Sequence, residues 1–195
     1  NLKIGMEAPD FDAVSTMGDI SLSSYKGKWI VFFSHPNDFS PICTTEIIGL
    51  AKADTYFKKI NTELIGISVD SLNSHLAWLY DIYLKTGLIV NFPIIADQNG
   101  VIARKYGMIS NDVSSTETVR NIFIIDDKGI IRSIFVYPMN IGRYIPEILR
   151  TVTALQYSDQ NNCMTPANWS PGNPMIVPPP KTFNALRERN ESINK

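Results

Sequence analysis

The sequence predicts an α/β domain built on a mixed central sheet, on three observations. The continuous apolar run Trp29-Ile30-Val31-Phe32-Phe33 reads as a strand buried on both faces. Strand-like and helix-like patterns then alternate as far as residue 106, which implies a largely parallel core joined by crossovers. Finally, Asp126-Asp127-Lys128-Gly129 lies between two apolar runs, a hairpin signal that adds antiparallel strands.

Each element has its own warrant. Phe11 to Leu22 reads as an N-terminal hairpin around Met17-Gly18-Asp19, and Lys26-Gly27-Lys28 turns the chain into the buried strand. His35 to Pro41 holds two prolines and must leave the strand direction. From Cys43 the apolar positions Ile47, Leu50, Phe57 and Ile60 recur near helical spacing, with Ser40-Pro41 suited to an N-cap followed by a first-position proline. Leu64 to Val69 reads as a strand, and Ser74 to Thr86 as a helix with Leu76, Leu79 and Tyr83 on its apolar face. Phe92 to Ala96 reads as a short strand and Val101 to Tyr106 as a short helix. Arg120 to Ile125 and Ile130 to Tyr137 form the second hairpin, and Tyr144 to Tyr157 a last helix. Beyond Asn161 the composition shifts to Asn and Pro, including Pro178-Pro179-Pro180, so the tail reads as an arm that wraps a neighbour or moves freely.

Composition excludes several function classes. The chain has 195 residues, 18 Lys and Arg against 19 Asp and Glu, and a net charge of -1, which argues against a nucleic-acid or anionic-membrane surface as main partner. Two cysteines and two histidines are too few for a zinc ribbon or a disulfide framework; no metal or other cofactor is expected. The longest apolar run is five residues, far from the roughly 18 needed to span a bilayer. The first residues lack a secretory core, and the expected location is the cytoplasm, where thiols stay reduced.

Chemistry concentrates in His35-Pro36-Asn37-Asp38-Phe39-Ser40-Pro41-Ile42-Cys43-Thr44-Thr45-Glu46. Cys43 falls in the first turn of a predicted helix directly after a buried strand, where unpaired backbone N–H groups and the helix dipole favour an anion. The dipole supplies only about 0.3 to 1 kcal/mol, so a stable thiolate there needs a further cation, most simply an arginine. On residue type alone a cysteine is more often a small core residue than a nucleophile. The pattern Pro36-x-x-x-Ser40-x-x-Cys43 resembles the active-site motif of peroxiredoxins, and Ser34-His35-Pro36-x-Asp38-Phe39 is similar to their one-cysteine group and its archaeal-type relatives. Further matches run along the chain: Ser74-His75-Leu76-Ala77-Trp78, Phe92 to Asp97, Gly142-Arg143 and Thr165-Pro166-Ala167-Asn168-Trp169.

The resemblance implies a thioredoxin-like fold over residues 1–158, a C-terminal extension over 159–195 that serves as a dimer arm, and thiol-dependent reduction of hydrogen peroxide and organic hydroperoxides in antioxidant defence. By it Cys43 is the nucleophile that becomes a sulfenic acid, Ser40 holds the hydroxyl position, Pro36 shields the site, and Arg120 is the active-site arginine. Glu46 and Arg143 match positions that orient that arginine; a first-turn carboxylate and a surface charge are the simpler readings. His35 either accepts a hydrogen bond from the thiol or sulfenic acid or caps the strand end, and His75 reads as structural. The resolving cysteine of two-cysteine members directly precedes Pro-Ala-x-Trp, a position held here by Thr165; Cys163, two residues upstream, reads as a small buried side chain rather than a displaced resolving thiol. The reductant is then an external thiol, whether thioredoxin-like, glutathione-like or small, and the assembly a homodimer or a ring of five dimers. A redox-sensing chaperone or scaffold that uses the same cysteine is the alternative. Some one-cysteine relatives carry Gly-Asp-Ser-Trp-Gly and a phospholipase activity; Gly27-Lys28-Trp29 has no serine, so that activity is not expected.

Overall fold

β3 (Trp29–Ser34) is the axis of the sheet, and all six of its residues are buried. Alternation sends Ile30 and Phe32 into one core layer, with Phe11, Ile65, Tyr106 and Phe123, and sends Val31 and Phe33 to the opposite face. In this computed structural model, which describes residues 1–193, β3 lies between β4 (Thr62–Ser68), parallel to it, and β6 (Arg120–Ile125), antiparallel to it. With β1 (Asp12–Ser15), β2 (Gly18–Ser21), β5 (Ile94–Ala96) and β7 (Ile131–Tyr137) the seven-stranded order is β2-β1-β5-β4-β3-β6-β7. The parallel trio β3, β4 and β5 and the antiparallel hairpins β1–β2 and β6–β7 are the mixed sheet that the sequence predicts.

Crossover helices explain the parallel pairs. α1 (Pro41–Lys59) joins β3 to β4, α2 (Leu72–Thr86) joins β4 to β5, and the short α3 (Val101–Lys105) follows β5. α1 buries Cys43, Ile47, Leu50 and Phe57, a stripe close to the predicted one. α2 differs from expectation: it buries His75, Trp78 and Ile82, whereas Leu76 and Tyr83 are 45% exposed. The stripe is displaced by one residue because a histidine with internal hydrogen-bond partners takes a core position, which hydrophobicity alone does not register. Gly66 in β4 is required by close approach: a Cβ there would lie 3.0 Å from Cζ of Phe33.

The chain divides into two units, residues 1–149 and 150–195. α4 (Ile145–Asn161) begins in the first and continues into the second. Within the second, Arg150 Nη1 donates to the Trp169 carbonyl at 2.9 Å, Tyr157 lies 6.0 Å from the Trp169 ring, and Met164 pairs with Ile176. The tail is not simply extended, because residues Phe183–Ile193 form α5. Thr182 starts that helix, accepting from Ala185 N–H at 3.2 Å and, through its carbonyl, from Leu186 N–H at 3.0 Å, and Ala-Leu-Arg-Glu-Arg are strong helix formers. Among the described residues no helix is long and apolar enough to cross a membrane.

Candidate active site

Cys43 sits in the first turn of α1, fully buried. Phe39 adopts a φ of 63°, in the left-handed region, and so reverses the chain ahead of Ser40. Ser40 is the N-cap as its residue type predicts: Oγ accepts the Cys43 N–H at 3.2 Å, and its carbonyl accepts Thr44 N–H and Oγ1–H at 2.9 and 2.8 Å. Since Oγ accepts there, the Ser40 O–H is still available to donate. Pro36 is buried in the same loop and brings no N–H to be satisfied.

Arg120, the first residue of β6, reaches the sulfur: Nη1 donates to Cys43 Sγ at 3.3 Å. Its other bonds fix it in place, Nε to the Met139 carbonyl at 2.8 Å and Nη1 to Glu46 Oε1. Arg143 grips the same carboxylate as a fork, with Nε at 2.6 Å from Oε2 and Nη2 at 2.9 Å from Oε1, while its backbone N–H also donates to Oε2 at 2.9 Å. Neither simple alternative holds for these two residues. Glu46 lies beyond the first turn and is buried, and Arg143 is 7% exposed and also bonds the Asn121 carbonyl at 2.9 Å. Burial alone would raise Glu46, but the Arg143 hydrogen bonds and charge, joined by Arg120, outweigh it and hold the carboxyl below its ordinary range. Two guanidinium groups and one carboxylate leave one positive charge, and Sγ faces it.

On the other side of the loop, His35 and His75 share one carboxylate. His35 Nε2 lies 2.7 Å from Asp38 Oδ1, and His75 Nδ1 lies 2.6 Å from Oδ2, which Ser74 Oγ–H also reaches at 2.9 Å. His75 Nε2 meets the Ile95 carbonyl at 2.9 Å, and Asp70 accepts the Asp38 N–H at 3.1 Å. Burial would raise Asp38, but the hydrogen bonds from the two histidines overcome it and hold the carboxyl well below its ordinary range; burial lowers His35. Trp78 connects this group to α1, its ring 5.0 Å from the His35 ring and its Nε1–H donating to Thr44 Oγ1 at 3.1 Å. His35, Asp38, Asp70 and His75 could be grouped as metal ligands, their atoms lying within 4.8 Å. The 2.6 and 2.7 Å separations are hydrogen-bond contacts, tighter than the roughly 3.3 Å between donors around a tetrahedral zinc, so shared protons hold the group together.

The structure thus gathers Cys43, Ser40, Arg120, Glu46 and Arg143 into one connected set, with Pro36 and His35 in the adjoining loop. Asp38, Ser74 and Asp70, to which the sequence assigns no role, join His35 by hydrogen bonds, and His75 is buried and internally bonded as a structural histidine; the His35-x-x-Asp38 spacing is the signal that the sequence offers. Cys163 lies in the second unit, partly exposed rather than buried, and its S–H faces the Asn161 carbonyl at 3.3 Å.

A buried thiol at a helix start, beneath an arginine on a thioredoxin-like sheet, defines a class, that of the thiol-dependent peroxidases. The AhpC/TSA family model matches residues 4–134, and that of the C-terminal domain of 1-Cys peroxiredoxin matches residues 154–192. The chain belongs to the AhpC/TSA family and is a peroxiredoxin. It is 54% identical over 191 residues to Peroxiredoxin 2 of Caldanaerobacter subterraneus subsp. tengcongensis, covering 98% of this chain and 86% of that one. Among solved structures, the yeast mitochondrial 1-Cys peroxiredoxin, described with its thiol resolving mechanism via glutathione/thioredoxin systems, superposes with a TM-score of 0.88 at 41% identity, covering 97% of this chain and 92% of that one. A cysteine-to-serine variant of Peroxiredoxin 6 of Arenicola marina gives 0.88 at 33% identity, covering 96% and 89%.

Proposed function

We propose that Cys43 is the peroxidatic nucleophile, a reading carried by the 3.3 Å contact between Arg120 Nη1 and Sγ. The thiolate attacks the terminal oxygen of the hydroperoxide, the S–O bond forms as the O–O bond breaks, and Cys43 becomes a sulfenic acid. The leaving alkoxide or hydroxide takes up the proton first lost by the thiol, so each turnover yields one alcohol or water. Arg120 stabilises the negative charge as it moves from sulfur to the leaving oxygen, and the Ser40 O–H donates to the peroxide. Pro36 keeps bulk water from the loop. Glu46 and Arg143 hold Arg120 in place. His35 Nδ1, buried and without a hydrogen-bond partner in the reduced site, is left free to accept from the sulfenic O–H once it forms.

Two equivalents of an external thiol then return the sulfenic acid to thiol, releasing water and a disulfide. A thioredoxin-like protein, a glutathione-like thiol or a small thiol can serve, and the glutathione and thioredoxin systems named for the yeast protein support this range. Cys163 takes no part, its S–H being turned to Asn161. The cytoplasm supplies the reducing conditions the cycle needs. Residues 1–158 carry the peroxidase chemistry and 159–195 an arm for a second copy; the assembly is a homodimer or a ring of five such dimers, and nucleic acid and membranes are not partners. β7, at one edge of the sheet with Val136 65% exposed, offers a strand for pairing.

Stopped-flow mixing of reduced protein with peroxide tests the assignment. Cys43→Ser is expected to abolish consumption; a variant as fast as wild type would refute it. Saturable turnover with a thiol donor separates this enzyme from a single-use redox sensor.

A further inference from the structure

The protons in the His35–Asp38–His75 group can be counted. A carbonyl oxygen only accepts, so the 2.9 Å contact with Ile95 places a proton on His75 Nε2. The 2.6 Å contact between His75 Nδ1 and Asp38 Oδ2 then needs a second proton, which those two atoms share. With Oδ2 committed to His75 and Ser74, the proton in the 2.7 Å contact between Asp38 Oδ1 and His35 must come from His35 Nε2. Were it supplied by Asp38 instead, either His75 Nδ1 and Oδ2 would meet lone pair to lone pair, or a doubly protonated His75 would leave an unbalanced positive charge among buried groups. The other nitrogen of His35, Nδ1, is buried and has no partner.

We infer that His75 is a positioning residue of the peroxidase site: through Asp38 it fixes the proton of His35 on Nε2 and so leaves Nδ1 as a bare acceptor. The inference rests on the reading of His35 as the acceptor on the sulfur side. It gives that reading a physical basis, because a histidine free to exchange tautomers would present a donor about as readily as a lone pair. Four segments enclose the group: Asp38 from the active-site loop, Asp70 from the segment after β4, His75 and Trp78 from α2, and the Ile95 carbonyl from β5. His75 touches neither the sulfur nor its first-turn neighbours by any hydrogen bond described; its ring lies 5.9 Å from that of His35, and its hydrogen-bonded route to His35 runs through Asp38.

Two near-isosteric variants separate the bonds of His75. The amide nitrogen of asparagine falls near the place of Nδ1 and keeps the bond to Asp38; that of glutamine falls near Nε2 and keeps only the bond to Ile95. The direct readout is the nitrogen chemical shift of the imidazole rings, simple here because the chain has two histidines. In the wild type, His35 is expected to show a protonated Nε2 and a bare Nδ1. His75→Gln is expected to mix the two tautomers of His35 and to slow peroxide consumption about tenfold, while His75→Asn restores the tautomer and most of the rate. Equal effects of the two variants, or an unchanged His35 spectrum in His75→Gln, would overturn the inference. Should a variant fail to fold, the wild-type spectrum still decides, since an Nδ1-protonated His35 contradicts the proton count. His35→Ala tests the underlying reading separately. If it is as fast as wild type, His35 does nothing at the sulfur; if it is slow while His75→Gln is not, the role of His75 alone falls.

Discussion

Glu46→Gln keeps the shape of the side chain and removes the charge on which two guanidinium groups converge. Four N–H donors reach this carboxylate, three from Arg143 and one from Arg120, and all three side chains are buried. An amide accepts at one end only; its NH2 group would face arginine donors at the other. Breaking a buried ion pair by removing one partner costs about 3 to 5 kcal/mol. With a urea slope near 2 kcal/mol per molar, that moves the unfolding midpoint down by about 2 M. The kinetic effect runs through Arg120, whose Nη1 is held toward Sγ by Glu46 and whose Nε is held by Met139. Losing one of those anchors should lower the rate constant for peroxide about 10²-fold, in the range found when a preorganised charge-stabilising donor is removed. The pH dependence has a definite sign. Glu46 is held below its ordinary value when folded, so its contribution is complete above the unfolded value near 4.3 and is lost as pH falls through the folded one. The stability gap between wild type and variant is therefore wide at pH 7 and narrows below about pH 4.3. Urea titrations at several pH values and stopped-flow kinetics at pH 7 measure both effects. A variant within about 1 kcal/mol of wild type and within threefold in rate would refute the reasoning.

Two further substitutions probe the frame of the site. Ser40→Ala removes both the cap of Cys43 N–H and the donating hydroxyl; it should cost about 1 kcal/mol in thermal unfolding and slow peroxide consumption at least tenfold, whereas Ser40→Thr keeps both. Gly66→Ala drives a methyl to 3.0 Å from Phe33 Cζ and 3.3 Å from Ile94 Cγ1, which calls for about 1 to 3 kcal/mol of repacking and a fall of several degrees in calorimetric Tm, with little change in rate at 25 °C.

Legibility in the sequence followed the nature of the signal. The five-residue apolar run, the Asp126 to Gly129 turn and Ser40-Pro41 are local signals read correctly, because each works through its own backbone or burial. Roles that depend on distant partners were harder to read. Glu46 and Arg143 have ordinary surface readings until the fold brings together positions 97 apart in sequence. The buried stripe of α2 is hidden in the sequence because His75 is polar as a residue type and yet fully buried once Asp38 and the Ile95 carbonyl satisfy it. α5 is not legible as a helix because its polar composition carries no apolar stripe to mark it, although its residues favour the conformation.

The position of Arg120 follows from the direction of one strand. Active sites of α/β sheets form beyond the carboxyl ends of the parallel strands, where the topology switches. β3 occupies such a point, with parallel β4 on one side and antiparallel β6 on the other. Because β6 runs in reverse, its first residue lies at the end where β3 terminates and α1 begins. The pairing Phe33↔Ile122 is continued by side chains: Ser34 Oγ donates to the Val119 carbonyl at 2.6 Å and accepts from Asn121 N–H at 3.1 Å, and Thr118 Oγ1 donates to the His35 carbonyl at 2.6 Å. Were β6 parallel, the first of its six residues would sit at the opposite edge of the sheet, about 17 Å away at 3.3 Å per residue, beyond the reach of any arginine. The helix start alone favours an anion by only about 0.3 to 2 kcal/mol, and the reversal of β6 brings to it the guanidinium that the start of α1 lacks.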